Sequence, residues 1–139
     1  MTKVEKMLKN SGVTPTPIRL LVFRCLREAD LPLSLSDIET LLDTVDKSTI
    51  SRTLSVFKEH NLLRSFNDGS GSMKYEIYQS ENAGDKEDHH VHFRCENCGV
   101  TRCLQSVIIP KVVLPDGFQP KEYNYIISGL CPECAEIQG

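Results

Sequence analysis

The stretch Cys95-Glu96-Asn97-Cys98, read together with Cys131-Pro132-Glu133-Cys134, decides the fold of the second half of this chain. In each C-x-x-C pair a tight turn places two sulfurs on one side of the backbone, and two pairs complete the tetrahedral four-cysteine shell of a closed zinc site. Gly99 follows the first pair, where such a turn often needs a positive φ. The spacing favours zinc, and two disulfides or two redox dithiols are the alternative interpretations.

Composition limits the kind of protein. The chain has 139 residues, of which 40% are hydrophobic and 25% charged, as is usual for a globular protein. Its longest apolar runs are too short to span a membrane, and the N-terminus lacks the apolar core of a signal peptide. We therefore expect no membrane partner and a cytoplasmic location, where paired cysteines usually hold metal rather than form disulfides.

The formal net charge of −3 is unevenly distributed. Residues 1–66 sum to +2, whereas residues 67–139 sum to −5. The first part could approach a polyanion and the second is suited to cations. A sequence pI near 5.8 is not that of a strongly basic nucleic-acid binder, so the asymmetry gives only weak support for such a partner.

Four helices are predicted in the first half. The first covers residues 3–10 and ends at Ser11-Gly12. The second begins at Thr16-Pro17, an N-cap followed by proline at the first helical position. Its apolar stripe contains Ile18, Leu21, Val22, Cys25 and Leu26. The third is capped by Ser34 with Asp37, and its predicted buried face contains Ile38, Leu41, Leu42 and Val45.

The fourth helix is predicted over residues 47–60, with Asp46 as its N-cap. Ile50, Leu54 and Phe57 should face the core, which leaves a small, polar face of Ser48, Thr49, Ser51, Arg52 and Ser55. Two short strands around the Gly-rich turn at 67–72 follow as a hairpin. Short helices followed by a hairpin predict a winged helix-turn-helix whose fourth helix contacts DNA. The alternative is that the polar face of the fourth helix is an ordinary solvated surface.

The second half should contain three strands. The first runs from His89 to Cys95, and its alternation places His90 and His92 on one face, where two imidazoles can bind a divalent ion. The second covers Val100 to Val107 and carries Cys103, and the third covers Lys121 to Ser128. Any helix near Pro110 is short or absent.

Four motifs make the chain resemble the ferric uptake regulator (Fur) superfamily of metal-responsive repressors. The two in the first half are Gly12…Thr16-Pro17-Ile18-Arg19 and Thr49-Ile50-Ser51-Arg52-Thr53-Leu54. The two in the second half are His89-His90-Val91-His92-Phe93-Arg94-Cys95-Glu96-Asn97-Cys98-Gly99 and Gly129-Leu130-Cys131-Pro132-Glu133-Cys134. The last two together are the specific ones.

The resemblance implies an α+β fold with a winged-helix DNA-binding domain at 1–80, a hinge at 81–88 and a zinc-containing α/β dimerisation domain at 89–139. It implies a homodimer that binds inverted repeats in double-stranded DNA and represses transcription. Structural zinc carries over to Cys95, Cys98, Cys131 and Cys134. The predicted DNA-contacting residues are Arg19, Ser48, Thr49, Ser51, Arg52 and Ser55.

The resemblance also implies a regulatory metal site between the domains. Its matching positions hold Glu76, His90, His92 and Cys103, whereas Pro32 stands where the family has a further histidine. A thiolate favours zinc over iron or manganese as the second metal. A vestigial site, with Cys103 merely packed on the sheet, is the alternative.

Three further functions stay open on the sequence. A dithiol oxidoreductase would use Cys131 and Cys134. Such motifs usually open a helix after a strand in a βαβ setting and need one exposed thiol of low pKa, whereas this pair has a matching partner pair. A zinc-stabilised interaction module would not bind DNA at all. A haem sensor would use Cys131-Pro132, whose sulfur the zinc site already requires. We expect a regulator and not an enzyme.

Overall fold

The computed structural model describes residues 2–77, 91–104, 106–107, 109–110, 112–121 and 123–138. The chain divides into two compact units, residues 1–85 and 86–139. The predicted hinge at 81–88, together with His89 and His90, lies outside the described residues.

The first unit is built from four helices and a small sheet. Its helices are α1 (Lys3–Asn10), α2 (Pro17–Glu28), α3 (Leu35–Leu41) and α4 (Lys47–Glu59). Its strands are β1 (Leu33–Ser34), β2 (Leu63–Asn67) and β3 (Met73–Ile77), which form an antiparallel sheet in the order β1-β3-β2. This is the predicted winged helix-turn-helix, with α1 as the additional leading helix.

The helix starts follow the predicted caps. The Thr16 side chain accepts a hydrogen bond from the Arg19 backbone, and Pro17 opens α2. Ser34 and Asp37 form a reciprocal capping box at the start of α3. Such caps satisfy N–H groups that have no partner within the helix, which is why these residue types mark helix starts so reliably.

One hydrophobic core holds the first unit together. Phe23 of α2 and Phe57 of α4 are fully buried and meet edge to face, with ring centroids 5.8 Å apart. The three predicted core positions of α4, Ile50, Leu54 and Phe57, are all buried, as predicted. Burial of these faces fixes α4, so that its opposite side is presented to solvent.

Two predictions about apolar faces were wrong in part. Leu41 is 60% exposed, because α3 ends there and Leu42 leaves the helical conformation. In α2 the buried face is centred on Val22, Phe23 and Leu26, so Ile18 and Leu21, predicted on the apolar stripe, are exposed.

The second unit is a three-stranded sheet followed by one helix. Its elements are β4 (Val91–Cys95), β5 (Thr101–Leu104), β6 (Tyr125–Gly129) and α5 (Pro132–Gln138). The sheet order is β5-β4-β6, with β4 antiparallel to β5 and parallel to β6. The three predicted strands are present, β6 begins at Tyr125 rather than at Lys121, and α5 was not predicted.

Few of the apolar side chains that the structure describes in the second unit are buried. Among its described residues, the buried hydrophobic side chains are Val91, Cys95, Cys131 and Cys134. Other apolar side chains of this unit are exposed, including Val113 at 83% and Phe118 at 66%. No helix among the described residues of either unit is long and apolar enough to cross a membrane. The predicted α+β fold is confirmed.

Candidate metal centre and nucleic-acid interface

Four cysteines of the second unit converge on one point. The sulfur atoms of Cys95, Cys98, Cys131 and Cys134 all lie within 4.8 Å of one another. The Cys98 and Cys131 sulfurs are 3.9 Å apart. Tetrahedral coordination with zinc–sulfur bonds of the usual length separates sulfurs by about 3.8 Å. The donor set and its spacing therefore fit a structural zinc ion, as the spacing of the two C-x-x-C pairs predicts.

The strand register brings the two pairs together. β4 and β6 run parallel, so that Cys95 at the end of β4 lies opposite Gly129 at the end of β6. The Glu96 N–H donates to the Gly129 carbonyl at 2.7 Å, which carries the pairing into the first knuckle. Gly99 has a φ of 76°, the positive value predicted after this knuckle. Cys131 and Cys134 then flank the start of α5.

Hydrogen bonds from the protein to sulfur prepare the cluster for a cation. The Cys98 backbone N–H donates to the Cys95 sulfur at 3.4 Å. The side-chain amide of Asn97 donates to the Cys134 sulfur at 3.3 Å. Such bonds stabilise a thiolate and orient it toward a metal. Sequence reasoning did not identify Asn97, although it lies inside the first C-x-x-C pair.

The thiols differ in acidity. Backbone hydrogen bonds from Cys131 and Cys98 lower the pKa of Cys95 to about 6. For Cys131 the backbone hydrogen bond from Cys134 lowers the pKa, but burial and neighbouring side chains outweigh it and raise the pKa to about 12. The thiolate form is thus favoured for Cys95 and disfavoured for Cys131. A divalent cation in the centre reverses the latter effect, since it attracts all four sulfurs.

None of the six cysteines, all of which the structure describes, forms a disulfide. The second C-x-x-C pair does open a helix after a strand, since Cys131 lies between β6 and α5. The thiols are not exposed, however, because Cys131 is 4% exposed and Cys134 is 6% exposed. Neither sulfur has the exposure that a nucleophilic thiol needs.

Two of the predicted regulatory ligands are neighbours in the second unit. His92 of β4 and Cys103 of β5 are directly opposite one another in the antiparallel ladder, so their side chains leave the sheet on the same face. His92 is 3% exposed and Cys103 is half-buried. An imidazole and a thiol in this arrangement fit two positions on a divalent ion.

The third regulatory candidate, Glu76, belongs to the first unit. It lies on β3 directly opposite Arg64 of β2. The Arg64 Nε lies 2.6 Å from the Glu76 Oε1, in a salt bridge whose two side chains are both mostly buried. This cross-strand pair was not foreseen, because recognising it requires the hairpin register.

The outer face of α4 is a candidate nucleic-acid interface. Ser48, Ser51, Arg52 and Ser55 are exposed there, and Thr49 is half-buried. The Ser55 hydroxyl donates back to the Ser51 carbonyl of the same helix. Arg52 is the one cation among these predicted residues, and its reach and five donors suit a base edge or a phosphate.

Asp46 organises the tip of α4. Its carboxylate accepts hydrogen bonds from the hydroxyls of Ser48 and Thr49, each at 2.5 Å. These two bonds lower the pKa of Asp46 to about 2. The Thr49 oxygen also accepts from the Arg52 guanidinium at 3.4 Å. Thr49 therefore lies between the cap and the arginine, where it positions Arg52.

Arg19, the remaining predicted DNA-contacting residue, is half-buried at the start of α2. Its guanidinium Nη1 donates to the Thr14 carbonyl at 2.9 Å. This bond fastens the loop before α2 to the helix. The structure thus gives Arg19 a contact that supports the fold, in a different element from the polar face of α4.

Comparison with known proteins identifies the family. Residues 10–115 match the model of the ferric uptake regulator family. A ferric uptake regulation protein of Campylobacter jejuni is 25% identical over 145 residues, which cover 96% of this chain and 87% of that protein. The chain belongs to the ferric uptake regulator family.

Solved structures share the fold. The ferric uptake regulator of Vibrio cholerae superposes with a TM-score of 0.65 at 17% identity, over 91% of this chain and 98% of that one. A zinc uptake regulator complexed with zinc and DNA superposes with a TM-score of 0.67 at 20% identity, over 99% of both chains. Identities this low support the fold and leave the metal and the operator to be argued from this chain.

Proposed function

We propose that this chain is a DNA-binding transcriptional regulator that responds to a divalent metal and acts as a homodimeric repressor in the cytoplasm. Family membership supports the class, and one related fold has been seen with zinc and DNA bound. The observation that carries the proposal is the exposed polar face of α4, which holds Arg52 on a helix fixed by its buried opposite side. That geometry is the one in which a recognition helix enters the major groove.

We assign the structural metal to zinc. Four thiolates at tetrahedral spacing form a closed shell, which is typical of structural zinc and leaves no position for substrate. Zinc bound there would join β4 to the start of α5. For the regulatory position the soft sulfur of Cys103 beside His92 favours zinc over iron or manganese.

The homodimer is assigned to the second unit. Its described residues include exposed apolar side chains at Val112, Val113, Phe118 and Ile127. Val112 and Phe118 line an open groove of about 430 Å³, together with Leu114, Gln119, Pro120, Tyr123, Asn124 and Tyr125. A self-complementary surface on a second copy would cover this apolar area, as in most symmetric dimers.

A DNA titration tests the function. An A/T-rich inverted repeat is titrated with the wild type, Arg52→Ala and the matched control Arg27→Ala, whose arginine is exposed at the far end of α2. We expect Arg52→Ala to weaken binding by about 1–3 kcal/mol if it contacts a base, and the control to bind like the wild type. Equal affinities for the wild type and Arg52→Ala would contradict the assignment of α4.

The same titration is repeated with added zinc and with a mild chelator. We expect tighter binding with zinc. An affinity for DNA that does not change with the concentration of free zinc would contradict metal responsiveness and leave a constitutive regulator.

Sedimentation of Phe118→Asp tests the dimer. We expect a mass of two chains for the wild type and of one chain for the variant. An unchanged dimer would exclude this surface.

A further inference from the structure

The carboxylate that the family resemblance assigns to the regulatory metal already has a cation beside it. Arg64 and Glu76 are direct partners in the β2–β3 ladder, and Nε and Oε1 are 2.6 Å apart. Their side chains are only 17% and 16% exposed. A charge-assisted hydrogen bond at this distance is strong, and partial burial protects it from screening by salt.

A divalent ion can bind Glu76 beside this arginine in one of two ways. It can displace the guanidinium from Glu76, which breaks the hydrogen bond and leaves a permanently charged group without that partner. Alternatively it can bind the second carboxylate oxygen, Oε2, with the guanidinium still on Oε1. In that case two cations share one carboxylate and repel each other. Both routes lower the affinity of Glu76 for metal.

A second arginine lies beside the ligands of the other unit. Arg94 follows His92 by two residues on β4, so the two side chains leave the sheet on the same face. The Arg94 Nε is buried and has no hydrogen-bond partner among the described residues. Its positive charge also opposes a cation at His92. Each ligand-bearing strand pair thus holds a guanidinium on or near the metal-binding group.

We propose that Arg64 competes with the regulatory metal for Glu76 and thereby sets the metal concentration at which this protein responds. The inference rests on the proposed function, since it takes Glu76 as a regulatory ligand. Arg64 is a tuning residue: it touches the ligand and not the metal. With Arg64 in place, the second metal binds only when its concentration is high enough to overcome the salt bridge.

The test measures metal affinity directly, without DNA. Zinc is titrated against a chromophoric chelator in the presence of the full-length protein, and the second equivalent per chain is followed. The variants are Arg64→Met, which keeps the packing of the side-chain stem, and Lys74→Met as the matched control. Lys74 lies on the same face of β3 as Glu76 and carries the same charge as Arg64. Arg64→Gln replaces Arg64→Met if the latter fails to fold.

We expect Arg64→Met to bind the second zinc about tenfold to one hundredfold more tightly than the wild type, the range set by hydrogen bonds to charged groups. Lys74→Met should change this affinity much less. In an Arg64→Met/Glu76→Gln double variant the gain should disappear, which locates the effect at Glu76.

Three results would overturn the proposal. The first is an affinity for the second zinc that is unchanged in Arg64→Met. The second is a weaker affinity in that variant, which would make Arg64 an orienting partner of the ligand. The third is a gain in affinity that persists in the Arg64→Met/Glu76→Gln double variant. Absence of a second zinc in both the wild type and Arg64→Met overturns it as well. Because this readout contains no DNA, its failure is distinguishable from failure of the operator titration.

Discussion

The two units of this chain are stabilised by different means. In the first, thirteen buried apolar residues form one core in which helices and sheet pack together. In the second, the corresponding cluster among the described residues consists of Cys95, Cys131 and Cys134, three of the four candidate zinc ligands. A unit this small buries too little apolar surface to offset the conformational entropy of folding.

The two units should therefore differ in how far their folding depends on metal. The first unit should fold without metal, because hydrophobic burial alone holds α4 in place. In the second unit the free energy of metal binding is also free energy of folding. Loss of one zinc ligand should therefore destabilise the whole second unit and not only the metal site.

The largest expected effect is that of Cys98→Ser. Structural zinc sites of this kind contribute an apparent binding free energy of about 10–16 kcal/mol, so the variant should lose one zinc per chain and the fold of the second unit. Elemental analysis and circular dichroism measure both. Cys25→Ser, in a half-buried cysteine of α2, is the control and should retain the zinc. A stably folded Cys98→Ser without zinc would contradict the comparison.

Phe57→Ala should destabilise the first unit. Removal of a fully buried ring that packs against Phe23 should lower the free energy of unfolding of the first unit by about 3–5 kcal/mol. The zinc content should stay at the wild-type value, because Phe57 lies in the first unit. Urea denaturation monitored together with zinc analysis provides the test. Loss of zinc in this variant would show that the two units do not fold independently.

Asn97→Ala should have a smaller effect, confined to the metal. It removes the amide that donates to the Cys134 sulfur at 3.3 Å. Loss of such a supporting hydrogen bond typically reduces metal affinity about 10-fold to 100-fold without changing the stoichiometry. Competition with a zinc chelator measures the change. Glu96→Ala, at the neighbouring exposed position, is the control, and an equal loss there would show that the effect is not specific to the amide.

The smallest effect is the pH dependence of the α4 cap. The pKa of Asp46 is lowered from 3.8 to about 2 by the Ser48 and Thr49 hydroxyls, so ionised Asp46 stabilises the folded state above the unfolded pKa. This stability should be lost as the pH falls from 3.8 toward 2. Urea unfolding of the wild type and Asp46→Asn across this range should show a difference that shrinks with acid. A difference that grows would contradict the hydrogen-bonding scheme, and Ser48→Ala should weaken the dependence.

The sequence predicted well those features that depend on local interactions. The caps at Thr16, Ser34 and Asp46 each satisfy N–H groups within three residues, so a short motif is sufficient to locate them. The four-cysteine cluster could also be predicted from the sequence, because two C-x-x-C pairs in one chain are typical of zinc sites. The core face of α4 followed from the helical period of about 3.6 residues.

Features that depend on distant pairing were missed. Strand β1 consists of two residues and exists only because Leu33 pairs with Tyr75 of β3. The Arg64–Glu76 pair depends on the same kind of register. The prediction for Leu41 was wrong, because Leu41 is the last residue of α3 and its side chain is exposed there. Helix α5 was not predicted, although it begins at Pro132 and proline is common at the first position of a helix.

Hydrogen–deuterium exchange before and after removal of the tightly bound zinc measures whether the second unit needs the metal to stay folded while the first does not. We predict that peptides from β4, β6 and α5 lose their protection when zinc is removed, while those from α2 and α4 keep theirs. Return of zinc should restore the protection. Protection of the second unit that survives zinc removal, or simultaneous loss of protection in both units, would contradict the account.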